Sequence, residues 1–231
     1  MARRGTARLA VEVRAVEAGA AEVGAILLAA GASRRMGALN KLLLPMDGVP
    51  MVARVADAIR AAGLPMLVVL GHEADAVRLA LACPPPERGR TEPLFVRAAD
   101  WAEGMGASLA AGARAIPAHW SGAIVCLGDM PFVAAGLLGR LAAAIDGPDA
   151  IAVPVHEGRR GNPVGWGRAW FAELARSGGD TGGRRLLARA AVTEIAADAG
   201  IHRDLDNPGD LAASESWHTS APPATSGADA I

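Results

Sequence analysis

VGAILLAAGASRRMGALNKLLLP, residues 23–45, is the stretch that decides the fold. Its first eight residues, 23–30, form a short apolar run that stops at Gly31, the pattern of a strand buried on both faces. The next segment is glycine-rich and basic: Gly31, Ser33, Arg34, Arg35 and Gly37, then Asn40 and Lys41. Small residues at a strand end leave backbone N–H groups free to wrap phosphate oxygens, and arginine and lysine add the matching charge. No Gly-Lys-Ser/Thr closes the loop, so it is not a Walker loop. The dinucleotide fingerprint G-x-G-x-x-G fails at its second glycine. Read alone, the loop fits a phosphate cradle or a solvated surface turn.

Working outward, the chain alternates short apolar runs with longer helical ones. Residues 51–62 carry Val52, Val55, Ala56 and Ile59 at helical spacing and end at Gly63. Residues 66–70 (MLVVL) read as a strand. Residues 74–82 read as a helix stopped by three prolines, and 94–96 as a third strand. Helix 106–115, strand 123–127, helix 134–145 and strand 150–155 continue the series. Such alternation predicts an α/β fold: one Rossmann-like, doubly wound, mostly parallel sheet with helices on both faces. Its ligand is expected beyond the carboxyl ends of the strands. The expected organisation is an extension over residues 1–22, one domain over 23–213, and a polar, proline-containing tail over 214–231.

Composition narrows the function. Of 231 residues 52% are hydrophobic, which is enough for a substantial core, but only 3% are aromatic and none is tyrosine. A net charge of −1 and few rings for base stacking argue against a nucleic-acid partner. No window reaches the length of a membrane span, and charges at Arg8, Glu12, Arg14 and Glu17 break up the opening segment. A cytoplasmic location is expected. The two cysteines, Cys83 and Cys126, have no metal-site spacing, and Cys126 reads as a core residue.

Two acidic clusters carry the remaining chemistry. Gly128-Asp129-Met130-Pro131 follows strand 123–127, which aims Asp129 into the crevice; a helix cap is the other reading. Asp204-Leu-Asp206-Asn-Pro-Gly-Asp210 comes late and reads as a turn and helix start or as a second metal-binding cluster. Mg²⁺ takes one or two carboxylates plus substrate phosphate oxygens, which one aspartate from each cluster would supply.

Taken together, Leu28-Ala-Ala30-Gly31-x-Ser33-x-Arg35-Met36-Gly37, Lys41, Leu44-Pro45 and Gly48-x-Pro50 resemble the signature of the NTP transferases of molybdenum-cofactor biosynthesis, the MobA-like family that includes the molybdenum cofactor cytidylyltransferases. The resemblance extends through the G-D-M-P and D-x-D-x-P segments and covers residues 23–211. It implies a nucleotide-diphospho-sugar transferase fold and a magnesium-dependent nucleotidyltransferase acting from CTP onto molybdopterin, with pyrophosphate released. The implied catalytic residues are Arg35, Lys41, Asp129 and Asp206, with Asp129 and Asp206 as metal ligands. The implied nucleotide-binding set is Leu28, Ala30, Gly31, Ser33, Arg35, Lys41, Gly71, Gly104, Ser108 and Gly128. The implied acceptor contacts are Asn162, Pro163, Gly182 and Gly183. A recipient molybdoenzyme or its chaperone is the implied partner.

This chain departs from the family pattern at Ala98 and Asn207, where Asn and Thr are usual, and carries Asn162 where the cytidylyl-transferring members more often have His. GTP as donor, another small phosphorylated acceptor, and a non-enzymatic nucleotide-binding role stay open beside the first reading.

Overall fold

A computed structural model of the chain describes residues 22–32, 39–82, 92–179 and 183–205. The first run becomes strand β1, Glu22–Ala29. It is flanked in parallel by β4 (Met66–Leu70) on one side and β6 (Trp120–Leu127) on the other. A strand paired on both edges and covered on both faces must be apolar throughout, and residues 24–29 are all buried. Successive side chains of β1 point to opposite faces. Ala25, Leu27 and Ala29 join one core layer and Ile26 and Leu28 the other.

The first layer packs under α1 (Met51–Ala61), α2 (Ala74–Leu81) and α4 (Ala135–Ala143), and the second under α3 (Met105–Arg114). Helix α1 buries Val52, Val55, Ala56 and Ile59, the stripe expected from the sequence. It ends in a Schellman cap: Gly63, at φ 72°, donates its N–H to Arg60 O, and Leu64 donates to Ile59 O. Short helices α5 (Phe171–Leu174) and α6 (Arg184–Leu187) complete the second layer. Among the described residues no helix is long and apolar enough to cross a membrane.

Three strands of the main sheet, β8 (Arg159–Arg160), β9 (Val164–Gly167) and β10 (Thr193–Ala196), were not expected from the alternation. β7 (Ile151–His156) turns through Glu157 and Gly158, both at positive φ, into β8. The chain then runs back as β9, which inserts antiparallel between β6 and β7. β10 adds in parallel to β7. With β5 (Leu94–Arg97) the order is β10-β7-β9-β6-β1-β4-β5, and β8 pairs with β7. Residues 164–167 (VGWG) are four residues with two glycines, too short and too glycine-rich for the strand pattern to register. A two-stranded hairpin of β2 (Pro45–Met46) and β3 (Val49–Pro50) turns on Asp47-Gly48, both at positive φ. The sheet is thus mostly parallel with helices on both faces. From β1 the chain moves outward to β4 and β5, then returns to β6 on the other side, which opens a crevice at the carboxyl ends of β1 and β6.

Candidate active site

Asp129 reaches the crevice because β6 delivers it there. Gly128 donates its N–H to Leu28 O at 3.0 Å, stitching the end of β6 to the end of β1, and Met130 turns back onto Leu127 O. A Cβ at residue 128 would lie 3.0 Å from that Leu28 oxygen, which favours glycine there. The other side comes from the segment after the glycine-rich loop. Asn40 is buried and its side-chain oxygen accepts the Leu42 N–H, starting a 3₁₀ turn over Lys41–Leu43. That turn presents Lys41, whose Nζ lies 2.7 Å from Asp129 Oδ2. The side chains are 12% and 22% exposed, so the pair sits at the edge of the protein interior and meets solvent on one side.

The sequence reading gives these two residues separate partners, Lys41 a phosphate and Asp129 a metal ion. In this structure each engages the other. Leu205 donates its N–H to Asp129 O at 3.2 Å, which fixes residue 205 beside Asp129. Asp206 itself, together with Ser33, Arg35 and Gly182, lies outside the described residues.

A cleft of about 470 Å³ opens from Asp129 over the α3 face of the sheet. Its floor is apolar, formed by Leu28, Leu109, Val125, Val164 and Trp166, and its polar rim includes Asn162, Arg159, Arg160, Arg184, His202 and Asp204. Arg160 is tied to Glu194 at 2.9 Å. The Nε2 of His202 is buried and has no hydrogen-bond partner among the described residues. His156 lies with its ring 6.3 Å from that of His202 and is itself bonded to Ala197 O.

The structure therefore brings Leu28, Lys41, Asp129, Asn162 and Gly183 to one place. Gly183 also serves packing: a Cβ there would stand 2.8 Å from the Trp166 ring. Gly71 belongs to packing in the same way, since its Cβ would fall 2.6 Å from Ala30 O and 2.7 Å from Trp101. Gly104, at φ 118°, starts α3, and Ser108 is buried in its second turn. Ala30 is buried and Gly31 exposed at the end of β1. Asn162 is joined to Pro163 by a cis peptide, and Pro163 borders a small apolar space beside Cys126 and not the main cleft. Cys126 is a core residue: burial pushes its thiol from 9.0 up to about 12, so it is protonated and inert at neutral pH. His72 packs against the Trp101 ring at 5.3 Å.

His202 and Trp166 are cleft residues that the motif reading did not single out, whereas Arg184 closes a glycine-rich segment that the sequence already marks as basic-ended.

Among the described residues no three His, Cys, Asp or Glu side chains converge as a metal cage. Two carboxylates, Asp129 and Asp204, nonetheless line the cleft, and a magnesium site shared with phosphate oxygens needs no more. The donor set fits a hard divalent cation.

Comparison with known proteins agrees with this geometry. Rv0371c from Mycobacterium tuberculosis H37Rv superposes with a TM-score of 0.72 at 30% identity, covering 86% of this chain and all of that one. The same protein has been solved in complex with manganese, with a TM-score of 0.66 at 29% identity over 83% of this chain and 97% of that one. The bifunctional protein GlmU of Allorhizobium ampelinum is 33% identical over 147 residues, 62% of this chain. The chain spans only 30% of that protein's length. Nicotine blue oxidoreductase of Paenarthrobacter nicotinovorans is 38% identical over 122 residues, 52% of this chain and 55% of that protein. The model of the MobA-like NTP transferase domain matches residues 25–195, from β1 through the penultimate residue of β10. By that match, and with a lysine–aspartate pair at the switch point of its sheet, the chain belongs to the MobA-like NTP transferase domain family.

Proposed function

We propose that the chain transfers a nucleoside monophosphate, CMP from CTP, to a phosphorylated acceptor of molybdopterin type. The observation that carries this reading is the Lys41–Asp129 pair at the carboxyl ends of β1 and β6, in a domain of the MobA-like family. An oxygen of the acceptor phosphate attacks the α-phosphorus, the α–β anhydride bond breaks, and pyrophosphate leaves. The attacking oxygen is already ionised at neutral pH, so the protein supplies position and charge and no general base is needed.

Lys41 is held within reach of the reacting phosphorus by the Asn40-capped turn and neutralises charge that builds on the α-phosphate. Arg35 and the backbone of the glycine-rich loop take the β- and γ-phosphates. Asp129, with Asp206, would hold a magnesium ion, which supplies further charge neutralisation on phosphate oxygens when bound. Gly104 and Ser108 lie on the nucleotide side, while Asn162 and Gly183 face the acceptor. The product is passed to a recipient molybdoenzyme or its chaperone.

The test is pyrophosphate release from CTP or GTP with Mg²⁺ and molybdenum-loaded molybdopterin. Release with CTP is expected. Release with GTP alone reverses the choice of base and keeps the reaction, and release with neither rejects this acceptor. Lys41→Ala is expected to lower kcat by about 10²–10³-fold while CTP binding changes little, the signature of a group acting on transition-state charge. Equal losses in both would make Lys41 a binding residue only.

A further inference from the structure

Three segments that carry the proposed chemistry meet at one small apolar joint. Met46, Met51 and Leu205 are buried together, apart from the two main core layers, with Phe132 packed against them. Met46 lies in β2, just after the turn that bears Lys41, and Met51 opens α1. Leu205 stands between Asp204 and Asp206, and Phe132 follows Asp129 in the turn after β6.

Hydrogen bonds run from this joint to both halves of the lysine–aspartate pair. Leu44 donates its N–H to Lys41 O at 3.1 Å, and Met51 donates to Leu44 O at 3.0 Å. Arg54 holds the hairpin down, donating from Nε and Nη2 to Met46 O at 2.9 and 2.6 Å. Leu205 donates its own N–H to Asp129 O at 3.2 Å. Phe132 is gripped as well: the Arg203 guanidinium stands 4.0 Å over its ring, and a Cβ at residue 200 would fall 2.6 Å from its carbonyl oxygen. A cluster this small adds little to a fold with two large core layers. Its effect is to fix distances between segments.

We infer that Leu205 is a positioning residue whose side chain, seated in the cluster with Met46 and Met51, sets how the flanking aspartates approach Lys41 and Asp129. This rests on the nucleotidyl-transfer reading, in which Asp129 and Asp206 hold the metal ion, and adds to it the joint that links the lysine to the ion. A carboxylate on an unanchored segment must be ordered when the ion binds, and that entropy is lost from affinity. An apolar peg completes the ordering before the ion arrives. Groups that orient metal ligands from behind change metal affinity by about 10–100-fold. Met46, far in sequence from both aspartates, should act on the ion through the same cluster.

The experiment uses full-chain wild type, Leu205→Ala, Leu205→Met, Met46→Ala and the Met46→Ala/Leu205→Ala double variant. Calorimetry measures the affinity of a non-hydrolysable CTP analogue with Mn²⁺ and again with EDTA, and the ratio is the gain that the ion brings. Leu205→Ala is expected to cut that gain about tenfold while the affinity in EDTA stays as in wild type. Leu205→Met refills the space and should restore the gain. Met46→Ala should also cut it, and the double variant should lose less than the two single losses combined, since both empty one cluster. Val77→Ala, which opens a cavity in α2 within the first core layer, is the control: its Tm falls and its gain from Mn²⁺ is kept.

A Leu205→Ala variant that melts earlier yet keeps the full gain would overturn the joint and leave Leu205 a packing residue. So would an equal loss in Val77→Ala, which would trace the effect to stability alone. Wild type that binds the analogue equally with Mn²⁺ and with EDTA would overturn the metal-holding role of the aspartates, and the joint with it. Wild type that gains from Mn²⁺ beside a Leu205→Ala that gains as much would overturn the joint alone.

Discussion

Asn40 does more than precede the lysine. Its carboxamide oxygen caps the turn that carries Lys41, while its Nδ2 is buried without a partner among the described residues. Asn40→Ala removes the cap and is expected to cost about 1 kcal/mol of stability and to lower turnover more than nucleotide binding, because Lys41 loses its fixed approach. Asn40→Ser keeps an acceptor for Leu42 N–H and should recover most of the stability in a thermal melt. Recovery of stability without turnover would show that the free Nδ2 itself contacts substrate. Cys126 gives a prediction of a different kind. Its thiol is raised from 9.0 to about 12 by burial, so the folded chain holds that proton where the unfolded chain has lost it. Stability is then fully present below pH 9 and falls as pH rises from about 9 toward 12, by up to about 1.4 kcal/mol per pH unit from this group. Denaturant titrations between pH 8 and 11 should show that slope in wild type and a shallower one in Cys126→Ala. In a Cys83→Ser background the remaining thiol should resist Ellman's reagent at pH 8 until the chain unfolds.

Elements meet at this site through close backbone approaches, and α3 depends on one. Gly106 donates its N–H to Gly179 O at 2.7 Å, and a Cβ at residue 106 would stand 2.6 Å from both the Gly178 carbonyl carbon and Gly179 O. Backbone cannot rotate away as a side chain tip can. Gly106→Ala is therefore expected to push the 178–179 segment off α3, costing about 1–3 kcal/mol in a denaturant titration and raising the KM of the acceptor more than that of CTP. An unchanged acceptor KM would mean that this segment only packs. Much of the element order was legible in advance, for a physical reason. The central strands are buried on both faces, so residues 23–30, 66–70 and 123–127 had to be unbroken apolar runs, and Gly63 had to end α1. What the sequence concealed were elements whose order comes from their neighbours. β9 has two glycines in four residues and becomes a strand only because β6 and β7 offer open edges on either side.

At the scale of the whole molecule the same division holds for the site. Lys41 and Asp129 each announce themselves in a motif, but their 2.7 Å contact exists only because the chain crosses from β5 back to the other side of β1. His202 has no motif at all, and it joins Arg184 in the cleft through the packing of α6 and the segment after β10. A site assembled from so many segments should stabilise the entire fold when it is filled. CTP with Mg²⁺ at about a hundred times its dissociation constant contributes about 2.7 kcal/mol to the folded state. For a chain of this size that is a rise in Tm of roughly 5–10 °C. Asp129→Asn separates the contributions. It removes the charge that faces Lys41, a partly exposed pair worth at most about 1 kcal/mol, so the ligand-free Tm should drop only slightly. The increment added by CTP with Mg²⁺ should fall to the increment seen with CTP and EDTA, because the ion has lost its carboxylate. If Asp129→Asn keeps the full magnesium-dependent increment, the ion is held elsewhere, and Asp129 serves instead to keep Lys41 in place until the nucleotide arrives.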